Sequence, residues 1–355
     1  MTKDELAERL KLAAKKKILV LGDFFLDRYL LIDPSRNEPS IETGLTAYQV
    51  FDRRLSPGAA GTVTNNLVAL GVSIVAIGFV GDDGEGFELR RALERLGVDT
   101  RGIVVRPDRA TPTYTKPMIV ESDGERELNR LDIKNWTRTP QALEREIIRN
   151  LEQLSEEVDA IVVMDQVNEL DCGTVTGTVR ESLARLGASR PNLPIIADSR
   201  ARIGEFKNVM VKPNHREALL ALNMKENVSG EGIRTAAMRL CERNGRPAFV
   251  THGAQGMYVA DKAMASLVPA ITVEGPIDIV GAGDSATAGI VTALSTGSSL
   301  TDAALIGNIV ASITIQQLGT TGTASQDRDS HGSRNKWGKS INFEVSPPPI
   351  AIAVR

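Results

Sequence analysis

Apolar residues fall into two kinds of run that take turns along the chain. The first kind is short and continuous, as in KILVLGD (17–23), SIVAIGFVG (73–81), DAIVVMD (159–165), LPIIADS (193–199), KNVMVKPN (207–214) and PAFVTHG (247–253). Runs of this length without polar alternation predict strands buried on both faces. The second kind has helical spacing, as in GAAGTVTNNLVALG (58–71), EGFELRRALERLGV (85–98), VTGTVRESLARLG (175–187) and GIRTAAMRLCERNG (232–245). The glycine closing the first of these suits a helix C-cap. Strand and helix in alternation imply an α/β domain with a mostly parallel sheet covered on both faces. The N-terminal MTKDELAERLKLAAKKK predicts a short amphipathic helix ahead of the first strand, and without an apolar h-region it is not expected to be a signal peptide.

Two segments break the rhythm. Residues 36–56 and 111–133 read as exposed, extended pieces, the second with a Ser-Asp-Gly turn between β-like arms. Insertions of this kind on an α/β scaffold form a lid or a dimer contact, or are ordinary surface hairpins. The domain is therefore expected over 1–325, with an irregular tail over 326–355 that is polar and then proline-rich.

Composition narrows the function classes. At 355 residues, 42% hydrophobic and 25% charged, the chain can bury a large core. A net charge of −3 gives no bulk field toward nucleic acid or an anionic membrane, although a local basic pocket remains open. Cys172 and Cys241 cannot make a disulfide framework, and with three scattered histidines they argue against structural zinc. No apolar run approaches the ~18 residues of a membrane span. The expected setting is cytoplasmic.

The densest chemistry is DIVGAGDSATAG (278–289), a glycine turn with an acid, opening a helix. Backbone N–H groups and the helix dipole at such a turn attract phosphate. A carboxylate there makes sense if the phosphate is being attacked: Asp284 takes the proton of an incoming hydroxyl while the N–H groups of 281–284 stabilise the transferring group. Two alternatives fit the same letters. Gly281-x-Gly283-x-x-Ala286 satisfies a dinucleotide fingerprint, although the acid expected about 20 residues on is missing, since Asp302 lies at a helix start. A plain tight turn with an exposed first-turn acid is the other. SRNKWGKS (333–340) looks like a phosphate loop, but Ser333 replaces its first glycine and INFEVSPPP cannot supply the helix.

Together with five further segments, this turn resembles the ribokinase-like (PfkB) carbohydrate kinases over roughly residues 16–325. GDFFLDRY (22–29), SPGAAGTVTNNLVALG (56–71), FVGDDGEG (79–86), KPNHREAL (212–219) and VTHGAQGM (250–257) stand in that family's order. Within the family, GDFFLDRY, TPTYTK (111–116) and RLD (130–132) are similar to heptose-phosphate kinases. The resemblance implies a ribokinase-like three-layer sandwich with a small β lid, dimeric through that lid. It implies ATP and Mg²⁺, with a monovalent cation also compatible, and a sugar or sugar phosphate as acceptor.

Site roles follow from the same resemblance. Asp284 would be the base, and Gly281, Ala282 and Gly283 an anion hole. Asn214 and Glu217 match a motif that positions magnesium with the nucleotide phosphates, Glu217 through water; an ordinary capped helix start reads the same way. Thr251, Gly253 and Gly256 would approach the nucleotide, and Asn308 the adenine. Asp27, placed near the end of the first strand, would bind sugar hydroxyls, with Gly58 and Asn65 in a second sugar-binding segment. Lys116, Arg126 and Arg130, with Arg53 and Arg54, are candidates for a substrate phosphate, or else belong to a solvated mixed-charge surface.

The chain also departs from the pattern. Ile279 stands where the family has threonine, Ala59 and Thr62 where its substrate loop has a glycine and an asparagine, and QVNELD follows Asp165 in place of a tyrosine-containing stretch. No nucleotidyltransferase module is expected after the kinase region, unlike in some bifunctional relatives. These changes are expected to alter substrate choice. Two other readings stay open: a sugar or nucleotide sensor without turnover, and a kinase for a nucleoside, which would not need the lid's basic residues.

Overall fold

In the computed structural model, which describes residues 1–122, 124–225, 229–318 and 322–324, the continuous apolar runs pair into one nine-stranded sheet. Its order runs 265–268, 257–260, 248–251, 210–211, 195–199, 160–165, 17–22, 73–81, 99–106, parallel except for the two antiparallel strands that open this list. Period-two alternation splits each central strand between two cores. Ile18, Val20, Val162 and Met164 pack on one face, while Leu19, Leu21, Ile161 and Val163 pack on the other. Helices Ala60–Ala69, Gly84–Arg95, Ala282–Ser295 and Leu300–Thr314 cover the first face. Gln141–Leu154, Gly177–Ser189, His215–Ala221 and Gly230–Asn244 cover the second. Each fully buried Leu or Ile here contributes roughly 1.5–3 kcal/mol. The layered α/β sandwich expected from the alternation is present. The N-terminal helix forms over Lys3–Ala13, closed by a capping box between Thr2 and Glu5.

A second, five-stranded sheet sits beside the first, ordered 131–133, 113–121, 24–32, 50–59, with Gly124–Glu127 paired to Thr113–Glu121. Its central strand, Phe24–Ile32, was not foreseen as a separate element. The chain leaves the main sheet at Gly22, buries the single residue Asp23, and enters the second sheet at once. Asp27 therefore lies inside a strand of the small sheet, opposite Ser56 and Tyr114, and not at the end of the first strand. Of residues 36–56, Glu38–Pro39 and Thr46–Ala47 form a separate two-stranded hairpin. KNVMVKPN forms a regular strand only over Met210–Val211, with a single bridge from Asn214 to Thr251 beyond it. The strand Met257–Ala260, the edge strand Ala265–Val268 and the helix Gln141–Leu154 were likewise not anticipated. The proposed tail, 326–355, including 333–340, lies outside the described residues.

Candidate active site

The parallel strands end together, and chemistry gathers at their C-terminal ends, where ligands bind in open α/β sheets. Residues 269–281 form no strand, so the glycine turn does not follow directly on one and the dinucleotide reading lacks its required context. Gly281, at φ 80°, caps the helix Ala282–Ser295. The Ala282 N–H closes a turn onto the Ile279 carbonyl at 3.2 Å. Among the described residues, the N–H groups of Gly281, Gly283 and Asp284 donate to no protein acceptor. Ala282 is thus the one member of the expected hole whose N–H is already used.

Asp284 is half-buried in the first helical turn, and its pKa is raised to about 7. Desolvation is the largest cause and the Asp198 charge the next; Lys212 and Arg200 pull the other way. Asp198 accepts from Lys212 Nζ at 2.9 Å and from Thr287 Oγ1 at 3.3 Å, tying the strand Ile195–Ser199 to the helix that carries Asp284. Lys212 is 2% exposed. Burial opposes its charge, but Asp198, with Glu217 and Asp284 beyond it, outweighs that cost and holds the ammonium above the usual lysine range. Asp198, Arg200 and Lys212 were missed in the sequence. Their only signal was a polar residue at the end of each apolar run.

Asn214 and Glu217 form a reciprocal cap: the Glu217 N–H donates to Asn214 Oδ1 at 2.9 Å, and the Asn214 N–H to Glu217 Oε2 at 2.8 Å. Burial and Asp198 push the Glu217 carboxyl above its ordinary pKa, against the Asn214 N–H and Lys212. The capped helix start that NHRE predicts is present. Among the described residues no group of three side chains is placed to hold a metal directly. Magnesium fits here only through phosphate and water, with Glu217 as the carboxylate at hand.

Thr251 ends a strand beside Asn214. Gly253 and Gly256 take φ of 53° and 108° in the turn that follows, and a Cβ on Gly256 would lie 2.2 Å from the Val268 carbonyl oxygen. Asn308 is buried, and its amide donates to the carbonyls of Val268 and Pro269 at 3.1 and 3.0 Å. Its side chain therefore holds the backbone against which Gly256 packs, and the amide N–H groups are spent.

On the other side, Asp27 pairs with Lys116 at 3.4 Å, and Lys116 Nζ donates to the Tyr29 hydroxyl at 3.0 Å. Burial raises the Asp27 pKa, with Lys116 pulling against it. Gly58 faces Asp27 so closely that a Cβ would meet Oδ2 at 2.4 Å. Asn65 Oδ1 is buried without a partner among the described residues, an acceptor awaiting a donor. Arg130 lies over the Tyr114 ring at 4.2 Å and forms a two-pronged pair with Asp132 at 2.6 and 2.8 Å. Arg53, Arg54 and Arg126 pair with Glu88, Glu125 and Glu121 at the surface. Arg130 also lines a cavity of about 150 Å³ with Phe25, Tyr114, Lys134, Arg200 and residues 166–169. Lys134 is held by Glu169 at 3.4 Å. Arg200 makes no ion pair among the described residues, and its charge reaches both this cavity and Asp284.

The chain is similar to known proteins over most of its length. The bifunctional protein HldE of Citrifermentans bemidjiense is 29% identical over 99% of this chain and 71% of its own length. That of Trichlorobacter lovleyi is 28% identical over 87% of this chain and 61% of its own length, so the chain spans only about six- to seven-tenths of these relatives. Arabidopsis thaliana ribokinase complexed with ribose and ATP shares the fold at a TM-score of 0.62 and 18% identity, covering 86% of this chain and 94% of that one. Escherichia coli phosphofructokinase-2 in complex with fructose-6-phosphate does so at 0.62 and 19%, covering 85% and 94%. The pfkB family carbohydrate kinase model matches residues 15–327. The chain belongs to that family, and it is a phosphotransferase whose acceptor is an alcohol group.

Proposed function

We propose that the protein transfers the γ-phosphoryl group of MgATP to a hydroxyl of a sugar phosphate of heptose-phosphate type, with Asp284 as base. Kinases of this family use ATP, with Mg²⁺ the usual ion. The observation that carries the reading is the setting of Asp284: a half-buried carboxylate with pKa about 7, at a helix start whose N–H groups are open, beside the Lys212–Asp198 pair. A base with that pKa accepts a hydroxyl proton near neutral pH. The acceptor oxygen then bonds to the γ-phosphorus, the bond to the ADP oxygen breaks, and the proton resides on Asp284. The N–H groups of Gly281, Gly283 and Asp284 face the charge on the transferring group, and positioning supplies most of the remaining rate. Magnesium, when bound, neutralises the nucleotide phosphates.

Asp27, beside Gly58, and the unpartnered Asn65 Oδ1 suit acceptor hydroxyls. Thr251, Gly253 and Gly256 border the nucleotide, with Asn308 supporting their turn. The heptose relatives favour a phosphorylated acceptor, and Arg200, which lines the cavity with Arg130, offers the positive charge one needs. Lys116 is reassigned to holding Asp27. The small sheet covers the acceptor side, and its closure would exclude water from the transfer.

ADP release from MgATP, measured across sugars, sugar phosphates and nucleosides, tests the assignment. Turnover on phosphorylated sugars, reduced at least 100-fold in Asp284→Asn, is the expected result; equal turnover by the variant would refute the base. Exposed Val50, Phe51 and Leu131 on the small sheet support a homodimer through that sheet. Light scattering that shows a monomer at micromolar concentration would end that part of the proposal.

A further inference from the structure

The loop 166–174, where this chain departs from its family, walls the acceptor cavity through Gln166, Asn168, Glu169 and Cys172. It has no regular secondary structure of its own, so its shape must be fixed from outside. Asp23, the residue between the two sheets, is 3% exposed. Its Oδ2 accepts the N–H of Gln166 at 2.8 Å and of Val167 at 3.1 Å, and its Oδ1 accepts the N–H of Thr174 at 2.7 Å. One carboxylate thus joins both ends of the loop.

A second brace works on the same backbone. Asp165 accepts from Ser199 Oγ at 2.7 Å and from Arg202 at 2.6 Å. Arg202 in turn donates to the carbonyl of Asn168 at 3.0 Å and to that of Val167. The carboxylate takes the loop's N–H groups and the guanidinium takes its carbonyls, so the two braces fix different atoms. A buried acid with three N–H donors is costly to desolvate and is retained only where its geometry is used or the fold depends on it.

We propose that Asp23 is a positioning residue for acceptor recognition: by stapling Gln166, Val167 and Thr174, it sets the wall that decides which acceptor fits. The inference rests on the cavity being the acceptor site. Asn at this position keeps the volume but offers a single acceptor oxygen and turns an amide NH₂ toward an N–H. The loop should then loosen without disturbing the nucleotide side, which lies on other strand ends.

The test measures kcat and both KM values for the wild type, Asp23→Asn and Gly173→Ala, with MgATP and a phosphorylated against an unphosphorylated sugar. Gly173→Ala presses on the same staple, since its Cβ would lie 2.6 Å from Asp23 Oδ1. Both variants are expected to raise the acceptor KM at least tenfold, leave the ATP KM within twofold, and flatten the preference between the two sugars. Amide exchange at Gln166, Val167 and Thr174 should accelerate in both. Unchanged acceptor KM in variants of an active wild type overturns the positioning role. So does an equal rise in both KM values, or failure of both variants to fold, which would assign Asp23 to stability. A wild type inactive on every acceptor instead removes the acceptor reading itself, and this inference with it.

Discussion

Ala59 carries a backbone conformation that its side chain resists. It sits at φ 54° and ψ −114°, between the strand Val50–Ala59 and the helix beginning at Ala60. That region suits glycine, and a residue with a Cβ held there costs about 1–3 kcal/mol. The surroundings enforce it: Ala59 pairs with Phe24, and the Ala60 N–H donates to the Asp23 carbonyl at 3.0 Å. Ala59→Gly removes the strain but adds unfolded-state freedom worth about 0.4–1 kcal/mol. The net gain is about 0.5–2 kcal/mol, which raises the melting temperature by a few degrees for a chain of this size. Ala60→Gly is the control, because Ala60 is buried in ordinary helical geometry and its loss should destabilise by about 1 kcal/mol or more. Thermal unfolding of the three proteins, followed by circular dichroism, measures both shifts. If Ala59→Gly destabilises as Ala60→Gly does, the backbone is not strained and the argument fails. The strain lies one residue from Gly58, which faces Asp27, so a stabilised variant would also show whether the family's usual glycine improves or blurs acceptor choice.

Two further outcomes concern Asp284. With its pKa near 7, kcat/KM should fall about tenfold per pH unit below pH 7 in the wild type; a limb near pH 4 would contradict the buried-base reading. Stability should run the opposite way: the folded state holds this proton more tightly than the unfolded chain between pH 3.8 and about 7, so ionisation costs stability as pH rises through that window. Asp284→Asn should therefore unfold at a higher temperature than the wild type at pH 8, by an amount on the order of a few kcal/mol, and match it near pH 4; equal stability at both pH values would refute the shift.

The layered fold was legible because its strands are unbroken apolar runs, and burial on both faces demands such runs. Phe24–Ile32 was not legible because one buried acid, Asp23, separates it from the first strand. Periodicity sees a single run there, and only the partner loop explains why a charge can be buried at the join. Asp284, Glu217 and Gly256 could be named because each occupies a local motif. Asp198, Arg200 and Lys212 could not, since they become neighbours only when strand ends from distant parts of the chain align. For Asn308 the residue was legible and the contact was not: its amide is saturated by two carbonyls that sequence places 39 and 40 positions away.

The same limit governed the cations. Positive charge around 111–133 was plain, but its neutralisation depends on pairing. Lys116 meets Asp27 because the parallel register sets Tyr29 beside Lys116. Arg130, just ahead of the strand 131–133, meets Asp132 two residues on, a local pairing that was in principle readable from the sequence. Lys134 meets Glu169 from the loop that Asp23 staples. Of the basic groups lining the cavity, Arg200 alone makes no ion pair among the described residues. A neutral nucleoside would leave that charge unanswered, and a substrate with several phosphates would exceed it. The proposed monophosphorylated polyol would answer Arg200, the one guanidinium of the cavity outside an ion pair, so that proposal rests on the balance of charge in the cavity and not on the number of basic residues in the lid.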